Sequence, residues 1–183
     1  MMIERIRREH GYMVRLLAIL STKLKQLNND QPINYSLVKE VVDYLANHSE
    51  KIHHPKEDVL YHYYQEHYGH QQEIENLESQ HVTLSEKTHE FLGVVEMILQ
   101  DAVVPREVFT KQLQEFITDQ HEHLDFEEKK IIPLINRAFT TEDWQQVEAL
   151  WEQEDNDPVF GETIADRYLQ LAERVRQTER ECI

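Results

Sequence analysis

The stretch HHPKEDVLYHYY, residues 53–64, carries two adjacent histidines followed by two adjacent carboxylates. Imidazoles and carboxylates are the side chains that bind transition metals or transfer protons. Adjacent residues of an α-helix point about 100° apart, so only one member of each pair is expected to face inward. The helical phase set by Leu60 and Tyr64 selects His53 and Glu57 as the inward pair. The stretch therefore predicts an imidazole and a carboxylate on one helix face.

Three further residues of this stretch have other expected roles. Asp58 is expected to face solvent, one position after the inward carboxylate. His54 flanks the inward seam, and its role as an additional metal ligand is left open. Pro55 lies inside the expected helix, where it removes a backbone hydrogen bond, so we expect a kink or a loosened turn beside the ligands.

The composition indicates an all-helical protein. The 183 residues include only 4 glycines and 5 prolines, while Leu, Glu, Gln and Lys are abundant. The net charge of −16 argues against nucleic acid and anionic membrane surfaces as partners. The N-terminus lacks a signal-peptide apolar core, and no apolar run approaches membrane-spanning length. The sole cysteine, Cys182, allows no internal disulfide, so a cytoplasmic location is expected.

The chain divides into a long helical part and a shorter tail. Hydrophobic periodicity and helix breakers predict four long helices over residues 3–28, 35–67, 71–100 and 105–138. Their short connections predict an antiparallel up-down-up-down four-helix bundle over residues 1–139. A C-terminal two-helix extension packed on the bundle is expected over residues 140–183. Its helices are predicted to start near Thr140 and to span 162–177, with Trp144, Trp151 and Phe160 as anchors.

Histidines interrupt the apolar seams of the long helices. His10 occupies a core position in the seam of the first helix, His81 does so in the third, and His123 and Glu127 do so in the fourth. Distances along the helices place these residues level with His53, to within about one turn. Buried carboxylates need a cation nearby, and no Lys or Arg is expected in the seams at that level. The layer therefore predicts a dimetal site, with metal-free His–Glu ion pairs as the alternative.

An internal repeat supports the metal site. Residues 53–60 (HHPKEDVL) align with residues 123–130 (HLDFEEKK), and each begins with His-x-x-x-Glu. With Arg8-Glu9-His10 and His81, the repeat makes residues 3–138 resemble the hemerythrin-like, HHE-type cation-binding domain. The resemblance implies a four-helix bundle around a non-haem di-iron centre. It implies these ligands, with the histidines terminal and the carboxylates bridging: His10, His53, His81, His123, Glu57 and Glu127.

Two departures from the family pattern bear on function. Oxygen-carrying hemerythrins have His-x-x-x-His on the third helix, and Leu77 stands here at the first of those positions. Their last motif has four residues between His and Asp, whereas three precede Glu127. A five-histidine oxygen carrier is therefore not expected. Iron-centre repair proteins share the paired His-x-x-x-Glu motifs but tend to carry a cysteine-bearing module, which is not present in this sequence.

The expected function is binding of a small ligand, O₂, NO or peroxide, at two iron ions, with manganese or zinc as other metals that suit the ligands. A role in oxygen or NO sensing or in stress defence follows from that chemistry. The alternatives are an enzyme that consumes peroxide or NO or repairs iron centres, and a closed storage or structural site. Whether the chain is an enzyme and whether it forms a homodimer are left open.

Several residues near the expected site have weaker assignments. Gln120 is either a hydrogen-bond donor beside His123 or a polar residue at the seam edge. Leu77, Leu84 and Phe116 are expected to wall the site, and Tyr61 and Tyr64 either line it or pack. The other histidines are expected on solvated faces, and His89 is the least secure of these exclusions because it lies two turns beyond His81.

Overall fold

The computed structural model describes residues 2–151 and 157–181, and within them every regular element is helical. Cys182 lies outside the described residues. The α-helices are α1 (Met2–Asn28), α2 (Tyr35–Tyr44), α3 (His54–Tyr68), α4 (Gln72–Leu99), α5 (Arg106–Phe126), α6 (Ile132–Ala138), α7 (Thr141–Ala149) and α8 (Leu169–Glu181). The segment π1 (Leu45–His53) joins α2 to α3, and π2 (Glu127–Ile131) joins α5 to α6. The prediction of an all-helical protein is confirmed.

The second and fourth predicted helices each run unbroken but contain a wider turn just before a proline. Pro55 lies in the first turn of α3, directly after π1, and Pro133 lies in the first turn of α6, directly after π2. Proline lacks an N–H and its ring collides with the carbonyl four residues earlier. The π turns pair instead with a carbonyl five residues back, as His54 N–H does with Ser49 O. The expected loosening near Pro55 is therefore a π-helical segment.

The packing of the long helices surrounds two apolar clusters. α1 lies against α5, α2 lies against α4, and α4 lies against α5. Buried side chains form one cluster at the end that holds Ile6, Leu60, Ile74 and Ile131. The second cluster is larger and begins, along α1, at Met13. Each long helical run passes from one cluster to the other through a short polar level.

The tail contributes to both apolar clusters. Trp144 and Val147 of α7 belong to the first, and Leu171 of α8 belongs to the second. Of the predicted anchors, Trp144 is buried against Phe139, and Phe160 stacks on Tyr12 with ring centroids 4.0 Å apart. The domain boundary after residue 139 stays a prediction.

The last helix begins at Leu169, later than the predicted residue 162. The Asp157 carboxylate accepts the N–H groups of Val159 and Phe160, both at 2.8 Å, and holds this stretch in a turn. The N–H of Leu171 then donates to Glu40 Oε2 at 2.7 Å, so a side chain of α2 fixes where α8 starts. No helix in the described part of the chain has the length and apolar character needed to cross a membrane.

Candidate metal centre

The polar level between the two apolar clusters holds all the predicted ligands. His10 comes from α1, His53 ends π1, and Glu57 lies one turn into α3. His81 comes from α4, while the pair from the second repeat comes from the end of α5 and the start of π2. Every one of them is buried: His10, His53, Glu57, His81, His123 and Glu127.

The histidines form two groups that the carboxylates connect. The donor atoms of His10, His53 and Glu57 lie within 4.8 Å of one another, and so do those of Glu57, His81 and Glu127. Glu57 Oε1 lies 2.9 Å from His10 Nε2, and Glu57 Oε2 lies 3.7 Å from His81 Nε2. Glu127 Oε2 lies 3.5 Å from His10 Nε2, and its Oε1 lies 3.4 Å from His81 Nε2. Each carboxylate therefore faces both groups.

His54, whose role the sequence left open, lies inside the cluster. Its ring stacks on that of His81, with centroids 4.2 Å apart and planes inclined by 7°. One ring nitrogen of His54, one of His81 and one of His123 lie within 4.8 Å of one another. His54 precedes Tyr61 by seven residues, so both lie on one face of α3. The spacing from Tyr61 was the available sequence signal, but the phase of Leu60 pointed beside His54.

Three of the cluster histidines donate their Nδ1–H to a carboxylate behind them. His10 Nδ1 lies 2.8 Å from Glu128 Oε1, and His53 Nδ1 lies 2.6 Å from Glu9 Oε2. The third contact joins His81 Nδ1 to Asp58 Oδ1 at 3.0 Å. The assignment of Asp58 to solvent was incomplete, since its carboxylate is partly exposed and also orients a histidine. Such partners fix the ring so that Nε2 points at the centre of the cluster.

A lysine lies next to the cluster, although no Lys or Arg was expected in the seams at that level. Lys56 is fully buried, and its Nζ lies 2.5 Å from Glu9 Oε1. The α-helical phase places Lys56 outside the seam of His53 and Glu57, so the sequence alone did not show where its ammonium group ends. It reaches Glu9 because that carboxylate extends from α1 between the two helices.

The histidines differ in their pKa. Burial lowers the pKa of His10, but hydrogen bonds to Glu128 and Glu57 outweigh it and raise the pKa to about 10. Burial likewise lowers the pKa of His81, but hydrogen bonds to Asp58 and Glu127 outweigh it and raise this pKa to about 10. Burial, with the charge of neighbouring His81, holds the pKa of His54 well below its ordinary value. Burial also lowers the pKa of His123. Neutral imidazoles of this kind present a free lone pair.

Several buried polar atoms of the cluster have no hydrogen-bond partner within the described residues. They include one oxygen of each carboxylate and the Nε2 atoms of two histidines: Glu57 Oε2, Glu127 Oε2, His53 Nε2 and His123 Nε2. Leaving buried carboxylate oxygens unpaired costs free energy, unless a cation takes the place of the missing donors. Imidazoles and carboxylates suit iron, manganese or zinc. The residues present therefore fit a metal site.

Other residues around the cluster differ in what they contact. Tyr61 donates its hydroxyl hydrogen to Glu127 Oε1 at 2.7 Å and is fully buried. Gln120 is buried, but its Nε2 donates to Thr88 Oγ1 at 3.1 Å. His89 is exposed and lies 3.5 Å from Glu50, which agrees with its exclusion. Of these three side chains, Tyr61 is the one that touches a carboxylate of the cluster directly.

A surface cleft reaches the cluster between α4 and α5. Its volume is about 310 Å³, and His123 and Leu84 are among its lining residues. Lys87 and Asp119 also line it and form an ion pair of 2.7 Å between the two helices. A molecule of a few atoms that enters this cleft meets a cluster histidine directly.

Comparison with protein families agrees with this geometry. The family model of the hemerythrin HHE cation binding domain matches residues 1–135. The chain belongs to the hemerythrin HHE cation-binding family. Comparison with curated proteins and with solved structures gives no match. For this HHE domain, the matched residues contain the whole histidine and carboxylate cluster and end three residues before α6 ends.

Proposed function

We propose that the chain is a non-haem di-iron protein that binds O₂, NO or peroxide at a carboxylate-bridged centre. The observation that carries this proposal is that Glu57 and Glu127 each face both histidine groups. One ion is expected beside His10 and His53. The other is expected beside His81, His123 and His54, whose role as an additional ligand the sequence left open.

The chain's own residues then have separate tasks. Glu9, Asp58 and Glu128 orient histidines, and Tyr61 holds one oxygen of Glu127. The apolar clusters on both sides limit the entry of water. Two iron ions would supply redox-active Lewis-acid positions for a small ligand.

The histidine count changes what this site resembles. His54 gives the cluster five histidines, although Leu77 stands where oxygen carriers have their additional one. The fifth imidazole comes from α3 and not from α4. The lack of a second histidine on α4 therefore does not by itself argue against ligand binding of the oxygen-carrier type.

A peroxide- or NO-consuming enzyme is the second candidate, and Tyr61 favours it. Its phenol, buried and 2.7 Å from Glu127 Oε1, places a hydrogen-bond donor at the centre of the cluster. The cleft beside His123 favours a site open to small molecules, whether for binding or for catalysis, over a closed storage site. Iron-centre repair has no comparable observation in its favour.

The proposal includes the remaining expectations about the whole chain. These are the up-down-up-down order of four helices, residues 140–183 as an extension packed on the bundle, and cytoplasmic location. The absence of nucleic-acid partners is also a proposal, since it rests on composition alone, and whether the chain forms a homodimer stays open.

Metal analysis of protein from iron-supplied cells tests the proposal. We expect about two iron ions per chain and the absorption bands of a coupled di-iron(III) centre that change with azide, or with NO after dithionite reduction. His123→Ala should lower the iron content, whereas the matched control His121→Ala, outside the cluster, should retain it. Less than about one iron per chain in the unchelated wild type would contradict a dimetal site. Spectra that neither azide nor NO changes would show a closed site.

A further inference from the structure

A buried lysine is connected to one ligand histidine through a single carboxylate. Lys56 Nζ lies 2.5 Å from Glu9 Oε1, and Glu9 Oε2 lies 2.6 Å from His53 Nδ1. The ammonium and the carboxylate come from different helices, and neither belongs to the predicted ligand set. The three groups form a short chain of charge-assisted hydrogen bonds that ends at the expected metal.

This chain of contacts is better shielded than its two counterparts. The Glu9 side chain is 9% exposed, whereas Glu128, behind His10, is 33% exposed and Asp58, behind His81, is 34% exposed. Charges act more strongly on each other where water is excluded. Glu9 and Lys56 are therefore placed to influence their histidine more than the two outer carboxylates influence theirs.

The C-terminal extension contributes to this shielding. Lys56 Nζ lies 5.1 Å from the ring centroid of Trp151, which follows α7. A tryptophan face attracts an ammonium group. α7 itself is held against α1, since the N–H of Met2 donates to Glu148 Oε1 at 2.7 Å. The tail thus covers the end of the contact chain that lies farthest from the cluster.

We propose that Glu9 and Lys56 are positioning residues that fix the His53 ring and set the reduction potential of the ion beside it. This inference rests on the proposed di-iron function. The Glu9 carboxylate strengthens His53 as an electron donor and favours the oxidised ion, while the Lys56 ammonium opposes that effect. Trp151 keeps water from the ammonium, so the extension affects the centre without supplying a ligand.

Substitutions that remove one charge each test the electrostatic part. In iron-loaded protein, Glu9→Gln should raise the reduction potential, and Lys56→Gln, which retains a hydrogen-bond donor, should lower it. The double variant E9Q/K56Q should fall between the two, because both charges are gone. Equal shifts in the same direction, or none, would show that the pair only fills space and would overturn the proposal.

The same variants give a second readout in binding. Glu9→Gln should weaken metal binding by about 10- to 100-fold in competition with a chelator, as is usual when such a partner is lost. Asp58→Asn is the matched control, since it removes a partly exposed carboxylate behind His81 and leaves Glu9 and Lys56 in place. An effect of Asp58→Asn as large as that of Glu9→Gln on the potential would contradict the special role of the buried pair.

Nuclear magnetic resonance of the metal-free protein separates this inference from the proposed function. In ¹⁵N-histidine-labelled protein, the Nδ1–H proton of His53 should resonate far downfield and move upfield in Glu9→Gln but stay in Asp58→Asn. A wild type that binds no iron would remove the proposed function while leaving this result intact. If the protein loads iron but Glu9→Gln changes neither the His53 resonance nor the reduction potential, the inference alone is wrong.

Discussion

At the scale of single residues, Tyr61 and His54 lie on one face of α3, and both lie at the centre of the cluster. Tyr61 holds Glu127 Oε1 at 2.7 Å, and His54 stacks on His81. The burial of the phenol and the charge of Glu127 raise the pKa of Tyr61 well above its ordinary value. The phenol therefore keeps its proton and stays a hydrogen-bond donor to the carboxylate.

Removal of that hydroxyl should be costly in metal-free protein. Tyr61→Phe removes the shorter of two hydrogen bonds to a buried carboxylate oxygen and leaves it the 3.4 Å contact with His81 Nε2, so we expect a loss of about 1–3 kcal/mol in the free energy of unfolding by urea. Tyr64→Phe is the matched control, because it leaves the hydrogen bond between Tyr61 and Glu127 intact. Equal effects of the two substitutions would contradict this account of Tyr61.

Sequence periodicity predicts the position of some cluster residues well and of others poorly, for a physical reason. His10, His81 and His123 lie in the buried cluster, as their spacing predicts, because α-helical spacing holds through α1, α4 and α5. Spacing gives the face on which a residue lies, but not what reaches that face from another helix. The contacts of Glu9, Lys56 and Asp58 depend on such neighbours: Glu9 with His53, Lys56 with Glu9, and Asp58 with His81.

At the scale of elements, sequence periodicity did not predict the two π-helical segments. The proline in the 53–64 stretch predicted a disturbance, but not its length of 9 residues or its position before His54. π2, with 5 residues, begins at Glu127 itself. A π turn widens the helix locally and shifts the phase between its two sides. The seam drawn through a uniform α-helix is displaced there, so the helical phase of α2 does not carry over into α3.

The element that ends the chain offers a direct test of how the tail is packed. Leu171 of α8 is fully buried, and Leu169 in the same helix is 58% exposed. Leu171→Ala should lower the free energy of unfolding by about 2–5 kcal/mol, because it leaves a cavity in the larger apolar cluster. Leu169→Ala should change it by less than about 0.5 kcal/mol. Urea denaturation measures both, and a small effect of Leu171→Ala would mean that α8 is loosely attached.

The whole molecule combines a net charge of −16 with a buried layer of imidazoles and carboxylates. Two of the histidines, His10 and His81, have a pKa of about 10 in the metal-free protein, so they hold protons at pH 8. A metal requires the free lone pair of each ligand. Metal affinity should therefore fall as the pH falls, since protons compete more strongly for the same nitrogens.

Proton release on metal uptake checks this directly. At pH 8, zinc or ferrous iron should release at least about two protons per chain, measured with an indicator dye in weakly buffered solution. Asp58→Asn should reduce the number, because the hydrogen bond from His81 to Asp58 helps to raise the pKa of that histidine. Complete zinc uptake without acidification would contradict the assignment of protonated His10 and His81.

The polar level between the two apolar clusters also has a mechanical consequence. Each long helical run crosses it, so the core is not one continuous body of apolar side chains but two bodies joined through imidazoles and carboxylates. Cooperative unfolding requires that the opening of one part destabilises the next. Two ions, held between them by residues from every long helical run, would join these two bodies. Without these ions, each of the two apolar clusters would open by local unfolding more independently of the other.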